Sequence, residues 1–160
     1  MDTQQTYNVV FDWLARAQAA PQQARREWTE RGFALLPLGR RFNSVYLPGP
    51  LVHVAAGTSD LEIVTRMLAE LLDGPVIHNR PQNQYYALVE RTPVPPWTAK
   101  YPEAPMLGSG QYLSVPASDL TGPTGLHWAV RPRIAGDLCA VPSVAALICM
   151  ARDPRWSGAR

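Results

Sequence analysis

Five prolines fall within the fifteen residues RTPVPPWTAKYPEAP (91–105). Proline lacks an amide hydrogen and fixes φ, so neither a central strand nor a regular helix is expected to run through this stretch. It reads as an ordered loop pinned by Trp97, and the regular elements must lie on either side of it. Upstream, Tyr7, Val10, Phe11, Leu14, Ala15 and Ala17 recur at helical spacing within 6–19. PQQARREWTERG (21–32) reads as a second short helix, with proline at its start, Trp28 as core anchor and Gly32 as its stop.

FALLPLG (33–39) reads as a strand broken at Pro37, and RRFNSVYLPG (40–49) as a second one ending at Pro48. Glycines and small residues follow. SDLEIVTRMLAELLDG (59–74) carries the clearest helical pattern, with Ser59 and Glu62 spaced as a capping box and Gly74 as terminator. Strands are expected at 75–79 and 85–90, and after the proline stretch at 107–118 and 126–132, with turns at 80–84 and 121–125 between them. A closing helix is expected over 142–152, then a frayed tail from Asp153. Hairpin-like neighbours with one crossover helix give an α+β fold. The expectation is a mixed, mostly antiparallel sheet of about six strands with helices packed on it, one domain over 1–152.

No apolar run approaches the roughly 20 residues of a membrane span. The N-terminus MDTQQTYNVV lacks the features of a signal peptide, so the expected location is cytoplasmic and no membrane partner is expected. Cys139, Cys149 and the three histidines (His53, His78, His127) show no zinc spacing. The net charge is only +2, but 14 of the 15 basic residues are arginine, the residue suited to bidentate phosphate contacts. A GC-rich genome gives the same bias.

The stretch GSGQYLSVPAS (108–118) sets a glycine turn before an apolar run and a proline–serine exit. It is neither a P-loop nor a dinucleotide fingerprint, because no helix follows it. Two readings stand: a plain hairpin whose Gly108 and Gly110 supply positive φ, or an inherited phosphate cradle.

The combination of Gly108, Gly110, Tyr112, Val115, Pro116, Ser118, Gly125 and Trp128, with the opening GFALLPLGRR, resembles the N-terminal primase–polymerase domain of bifunctional replication proteins. This domain belongs to the archaeo-eukaryotic primase superfamily. Short actinobacterial stand-alone versions of it are similar too. The resemblance covers roughly 5–152 and implies an RRM-like core. It also implies a two-metal site: an acidic pair on an early strand, a third acid before the glycine turn and a nucleotide-contacting histidine on a middle strand. The corresponding positions hold Tyr46 and Pro48, Pro105, and Tyr85 or Tyr86. Glu103 is the one carboxylate nearby.

The resemblance therefore implies the fold and argues against the polymerase chemistry. It leads to the expectation of a catalytically inactive domain, with no catalytic residue, metal or cofactor. That domain would act by binding DNA, a nucleotide or a replication-related partner protein through Gly108, Ser109, Gly110, Tyr112, Ser118, Arg40, Arg41 and Tyr86. Arg25, Arg26 and Arg31 could extend the basic surface of Arg40 and Arg41. Two alternatives remain: a protein-contacting scaffold using the proline-rich stretch 92–105, or an enzyme with a rebuilt site around Glu103, His127 and Asp119.

Overall fold

A computed structural model of the chain describes residues 3–122 and 124–153; the frayed tail expected beyond Asp153 lies outside them. The elements in order are α1 (Thr3–Ala15), α2 (Pro21–Arg31), β1 (Phe33–Pro37), β2 (Asn43–Pro48), α3 (Gly49–Ala56), α4 (Leu61–Leu72), β3 (Val76–Asn79), β4 (Gln84–Val89), α5 (Val94–Lys100), β5 (Met106–Leu107), β6 (Tyr112–Pro116), β7 (Leu126–Val130) and α6 (Val141–Arg152). This is the α+β arrangement that the element order implies. The strands form two sheets: five in the order β5-β2-β4-β3-β7, and the separate pair β1-β6. All strand ladders are antiparallel.

Alternation along the strands divides the core between the two faces of the larger sheet. Val45, Leu47, Val76, Ala87 and Val89 pack with Val52 of α3, Val64 and Leu68 of α4, and Leu147 of α6. Ile77, Leu88 and Trp128 point the other way and pack with Val10 and Leu14 of α1 and Leu36 and Val115 of the small sheet. A sheet covered on both faces needs apolar residues at successive positions. This explains why β4 reads YYALV rather than alternating with polar residues. Among the described residues no helix is long and apolar enough to cross a membrane.

Several boundaries differ from expectation for local reasons. The proline-rich stretch contains α5, because Pro95 and Pro96 occupy the first turn, where amide hydrogens have no intrahelical acceptor. Trp97 does pin it: the ring is buried, and its Nε1–H donates to the Ala104 carbonyl at 2.7 Å. The residues after Pro48 form α3, started by Pro50 and stopped by Gly57 at φ +74°. Helix α1 ends at Ala15, four residues before the end of the 6–19 segment in which its apolar pattern is read.

The run 107–118 is not one strand. It breaks at the glycine turn into β5 of the large sheet and β6 of the small one. Asp73, in the left-handed region at φ 51°, closes α4. Gly74 has another role: a Cβ there would sit 2.5 Å from the Cys139 nitrogen.

The N-cap of α4 is Asp60 rather than Ser59. Its Oδ1 accepts from Glu62 N at 3.1 Å and Ile63 N at 3.2 Å. Asp60→Ala should therefore lower stability in urea denaturation by about 1 kcal/mol, and Ser59→Ala by only a few tenths. The reverse order would restore Ser59 as the cap.

Candidate functional site at the crossing between the sheets

The chain passes between the two sheets at one corner twice. It goes from β1 through 38–42 into β2, and from β5 through 108–111 into β6. The two crossings are tied together: Leu38 N–H donates to the Gln111 carbonyl at 2.9 Å. Residues 108–111 form a turn closed by Gln111 N–H on the Gly108 carbonyl at 3.0 Å. Gly110, third in the turn, has φ +88°, as a type II turn requires. Gly108 does not take a positive φ. Its N–H donates to Gln111 Oε1 at 2.9 Å, so one amide that a phosphate cradle would offer is already engaged. Gly39, at φ +86°, lies directly under Ser109: a Cβ would come within 2.7 Å of the Ser109 backbone.

Arg40, Arg41, Ser109, Gly110, Gln111 and Tyr112 are all exposed around this corner, and Tyr112 is 65% accessible. Arg40 and Tyr112 line one groove of about 500 Å³ together with Leu35 and Glu27. The Arg41 guanidinium lies 5.7 Å from the Trp13 ring centroid, and Trp13 stacks on Phe42. Glu27 does not oppose these cations freely. Its carboxylate accepts from Leu35 N–H at 2.9 Å and Gln23 at 3.0 Å and pairs with Arg31 at 3.2 Å. Burial pushes the Glu27 carboxyl up, but these hydrogen bonds and Arg31 outweigh it and hold its pKa below the ordinary value. Gln18 donates to the Leu35 carbonyl at 2.7 Å, so side chains occupy both polar groups of Leu35 on β1.

On the other side of the turn is a cleft of about 640 Å³ lined by Asn43, Arg91, Thr92, Pro93, Ser109 and Gln111, among others. Asn43 opens β2 and is buried. Its Nδ2 donates to the Thr92 carbonyl at 3.0 Å, which fixes the amide orientation, and its Oδ1 is left buried with no partner. Arg91, Asn43 and Gln111 carry no motif. Sequence reading passes over them because the cleft forms only where two separate turns meet.

The other expected residues are distributed elsewhere. Tyr86 pairs across the sheet with Tyr46, ring centroids 5.7 Å apart, and its hydroxyl donates to Gln84 at 2.9 Å. Burial, with Tyr46 adding to it, raises the Tyr86 pKa. Tyr46 N–H donates to the Pro105 carbonyl at 3.1 Å. Tyr46, Tyr86 and Pro105 are thus neighbours across β2, β4 and the entry to β5. Tyr85 points to the opposite face and stacks on His78 at 4.0 Å.

Ser118 lies past the far end of β6, in a separate cleft of about 620 Å³ that also holds Asp12, Arg25 and Asp119. Arg25 pairs with Asp12, Arg26 with Gln23 and Arg31 with Glu27, so the basic residues of α2 are engaged locally rather than joined to Arg40 and Arg41.

The members of the suspected rebuilt site are also apart. Glu103 is clamped by Arg152 at 2.5 and 2.7 Å, a hydrogen-bonded pair that lowers its pKa. His127 is buried on β7, at the sheet edge opposite β5. Asp119 is in the cleft with Asp12. Among the described residues no group of three or more His, Cys, Asp or Glu is placed to hold a metal ion. No protein-family model, no curated protein and no solved structure matches the chain.

Proposed function

We propose that this chain is a binding domain of the primase–polymerase type that takes a single-stranded nucleic acid along the corner where the two crossings meet. The observation that carries the reading is the meeting of Arg40 and the 108–111 turn, with Arg91 lining the cleft on one side and the exposed Tyr112 on the other; Arg41 follows Arg40 in the same crossing. Arginines supply phosphate contacts, and an exposed aromatic ring stacks on bases irrespective of sequence. The adjacency of Tyr46, Tyr86 and Pro105 supports the resemblance: positions that would hold acids and a histidine in a polymerising relative lie together here without a carboxylate. The protein-contacting alternative is weaker, because Trp97, Tyr101 and Ala104 of the proline-rich stretch are buried in the core.

Fluorescence anisotropy with a labelled mixed-sequence 12-mer tests the reading. Binding should weaken with salt. The double substitution of Arg40 and Arg91 by alanine should make the slope of log K against log salt less negative by roughly 1.4, two phosphates at about 0.7 each. Tyr112→Ala should weaken binding at least fivefold, since stacking on one base contributes about 1–3 kcal/mol. Absence of binding, or binding indifferent to all three side chains, overturns the proposal.

A further inference from the structure

The geometry points to a second binding site, one for a small monocarboxylate with an apolar body, in the cleft of about 400 Å³ where the start of α4 meets β7. β7 is the sheet edge opposite β5, so this cleft is separate from the crossing and independent of the nucleic-acid reading. The exposed Arg80 and the buried His127 both line it. One carbonyl positions the two residues: Gly125 O accepts from Arg80 N–H at 3.1 Å and lies 3.1 Å from His127 Nδ1. A carbonyl only accepts, so Nδ1 carries the ring proton. Burial, with the Arg80 charge adding to it, holds His127 below its ordinary pKa against the pull of the Gly125 carbonyl, and the ring is neutral at neutral pH.

Among the described lining residues Arg80 is thus the one fixed cation. Glu62 is the one carboxylate; its side chain is 85% exposed and pairs with Arg66 at 3.6 Å. This balance selects the ligand. A guanidinium fork matches a carboxylate bidentately. A phosphate monoester, with a charge of about −1.5 to −2, would meet repulsion from Glu62 with a single cation to offset it. The first turn of α4 does not supply the remainder, because Asp60 Oδ1 already accepts from the amides of Glu62 and Ile63. Leu61 and Ala129 add apolar surface and Thr65 a hydroxyl. The volume is near the lower end of small-molecule sites, roughly 300–1,000 Å³, and suits a ring-sized acid.

Proton NMR of the full chain tests the site with benzoate as probe, and with benzamide, benzylamine and inorganic phosphate as comparisons at constant ionic strength. Benzoate should shift the His127 Hε1 resonance, with a dissociation constant in the millimolar range. Benzamide has the same shape without the charge and should bind at least roughly tenfold more weakly, as should phosphate. Bound benzoate should also raise the His127 pKa, because it neutralises the arginine charge that helps hold that pKa down. Arg80→Gln should raise the same pKa without ligand and abolish the benzoate effect. Ala129→Leu, checked for folding by circular dichroism, should block benzoate by filling the cleft while leaving the Arg80 charge in place.

No shift with millimolar benzoate overturns the site. So does equal binding of benzamide or phosphate, tighter binding of benzylamine, or benzoate binding that survives Arg80→Gln. Binding retained in Ala129→Leu would mean ion pairing at the surface of Arg80 rather than entry into a cleft, and overturns it too. The 12-mer experiment is unaffected by any of these outcomes, since Arg40, Arg91 and Tyr112 do not line this cleft.

Discussion

Gly39→Ala should lower the unfolding free energy by about 2–4 kcal/mol, the largest loss expected from adding one methyl group anywhere on the corner. Two costs act at once. The residue sits at φ +86°, where a side chain costs roughly 1–2 kcal/mol. The new Cβ would also fall 2.7 Å from Ser109 N and Cα, atoms that cannot rotate away as a side-chain tip can. Nor can the two crossings simply separate, because the Leu38–Gln111 hydrogen bond joins them. Gly110→Ala is the matched control. Its φ is +88°, but its Cβ would meet nothing within 4 Å, so only the conformational cost applies. Urea denaturation of the two variants separates backbone conformation from close approach. Equal losses would mean that the two crossings do not press on each other at Gly39.

That pair of glycines also shows how far the sequence can be read. Gly108 and Gly110 stand out as a turn in GSGQYLSVPAS, and the turn is there. What the string does not display is that the strand before it and the strand after it belong to different sheets. Period-two alternation runs on through such a switch, so 107–118 reads as one strand. The amphipathic α4 was legible because its apolar residues repeat over three turns. In contrast, α3 and α5 were hidden by prolines that look like breakers but occupy first turns.

The candidate site divides the same way. Arg40, Arg41, Ser109 and Tyr112 could be named from local composition, and they lie on the two crossings, or at their ends, that the Leu38–Gln111 hydrogen bond ties together. Ser118 and Tyr86 could not be placed relative to them without knowing the sheet order. Asn43 and Arg91 become visible only when tertiary contacts leave one acceptor without a donor.

Acidification should destabilise the fold well above the range in which carboxylates titrate, and His78 is the main reason. It is 2% exposed, stacked on Tyr85 at 4.0 Å and set edge-on to His127 at 5.0 Å, and neither ring nitrogen has a partner. Burial, followed by the proximity of His127, Arg80 and His53, pushes its pKa down to about 4; Asn83 alone pulls the other way. Burial and Arg80 also lower His127, against the opposing pull of the Gly125 carbonyl.

The native state therefore refuses a proton that the unfolded chain accepts near the ordinary value of 6.5. Stability is full above that pH and declines as the pH falls towards 4, at about 1.4 kcal/mol per pH unit for each such histidine. Between pH 6.5 and 4.5 the loss from His78 alone should be about 2–3 kcal/mol. Glu27 and Glu103, held below their ordinary 4.5, add to it only at lower pH. Denaturant midpoints at half-unit pH intervals measure the slope. His78→Phe keeps the ring stacked on Tyr85, removes both unpartnered nitrogens and should flatten most of the dependence. A slope unchanged in that variant would assign the acid sensitivity to other groups and place the neutral His78 outside the energetics of the core.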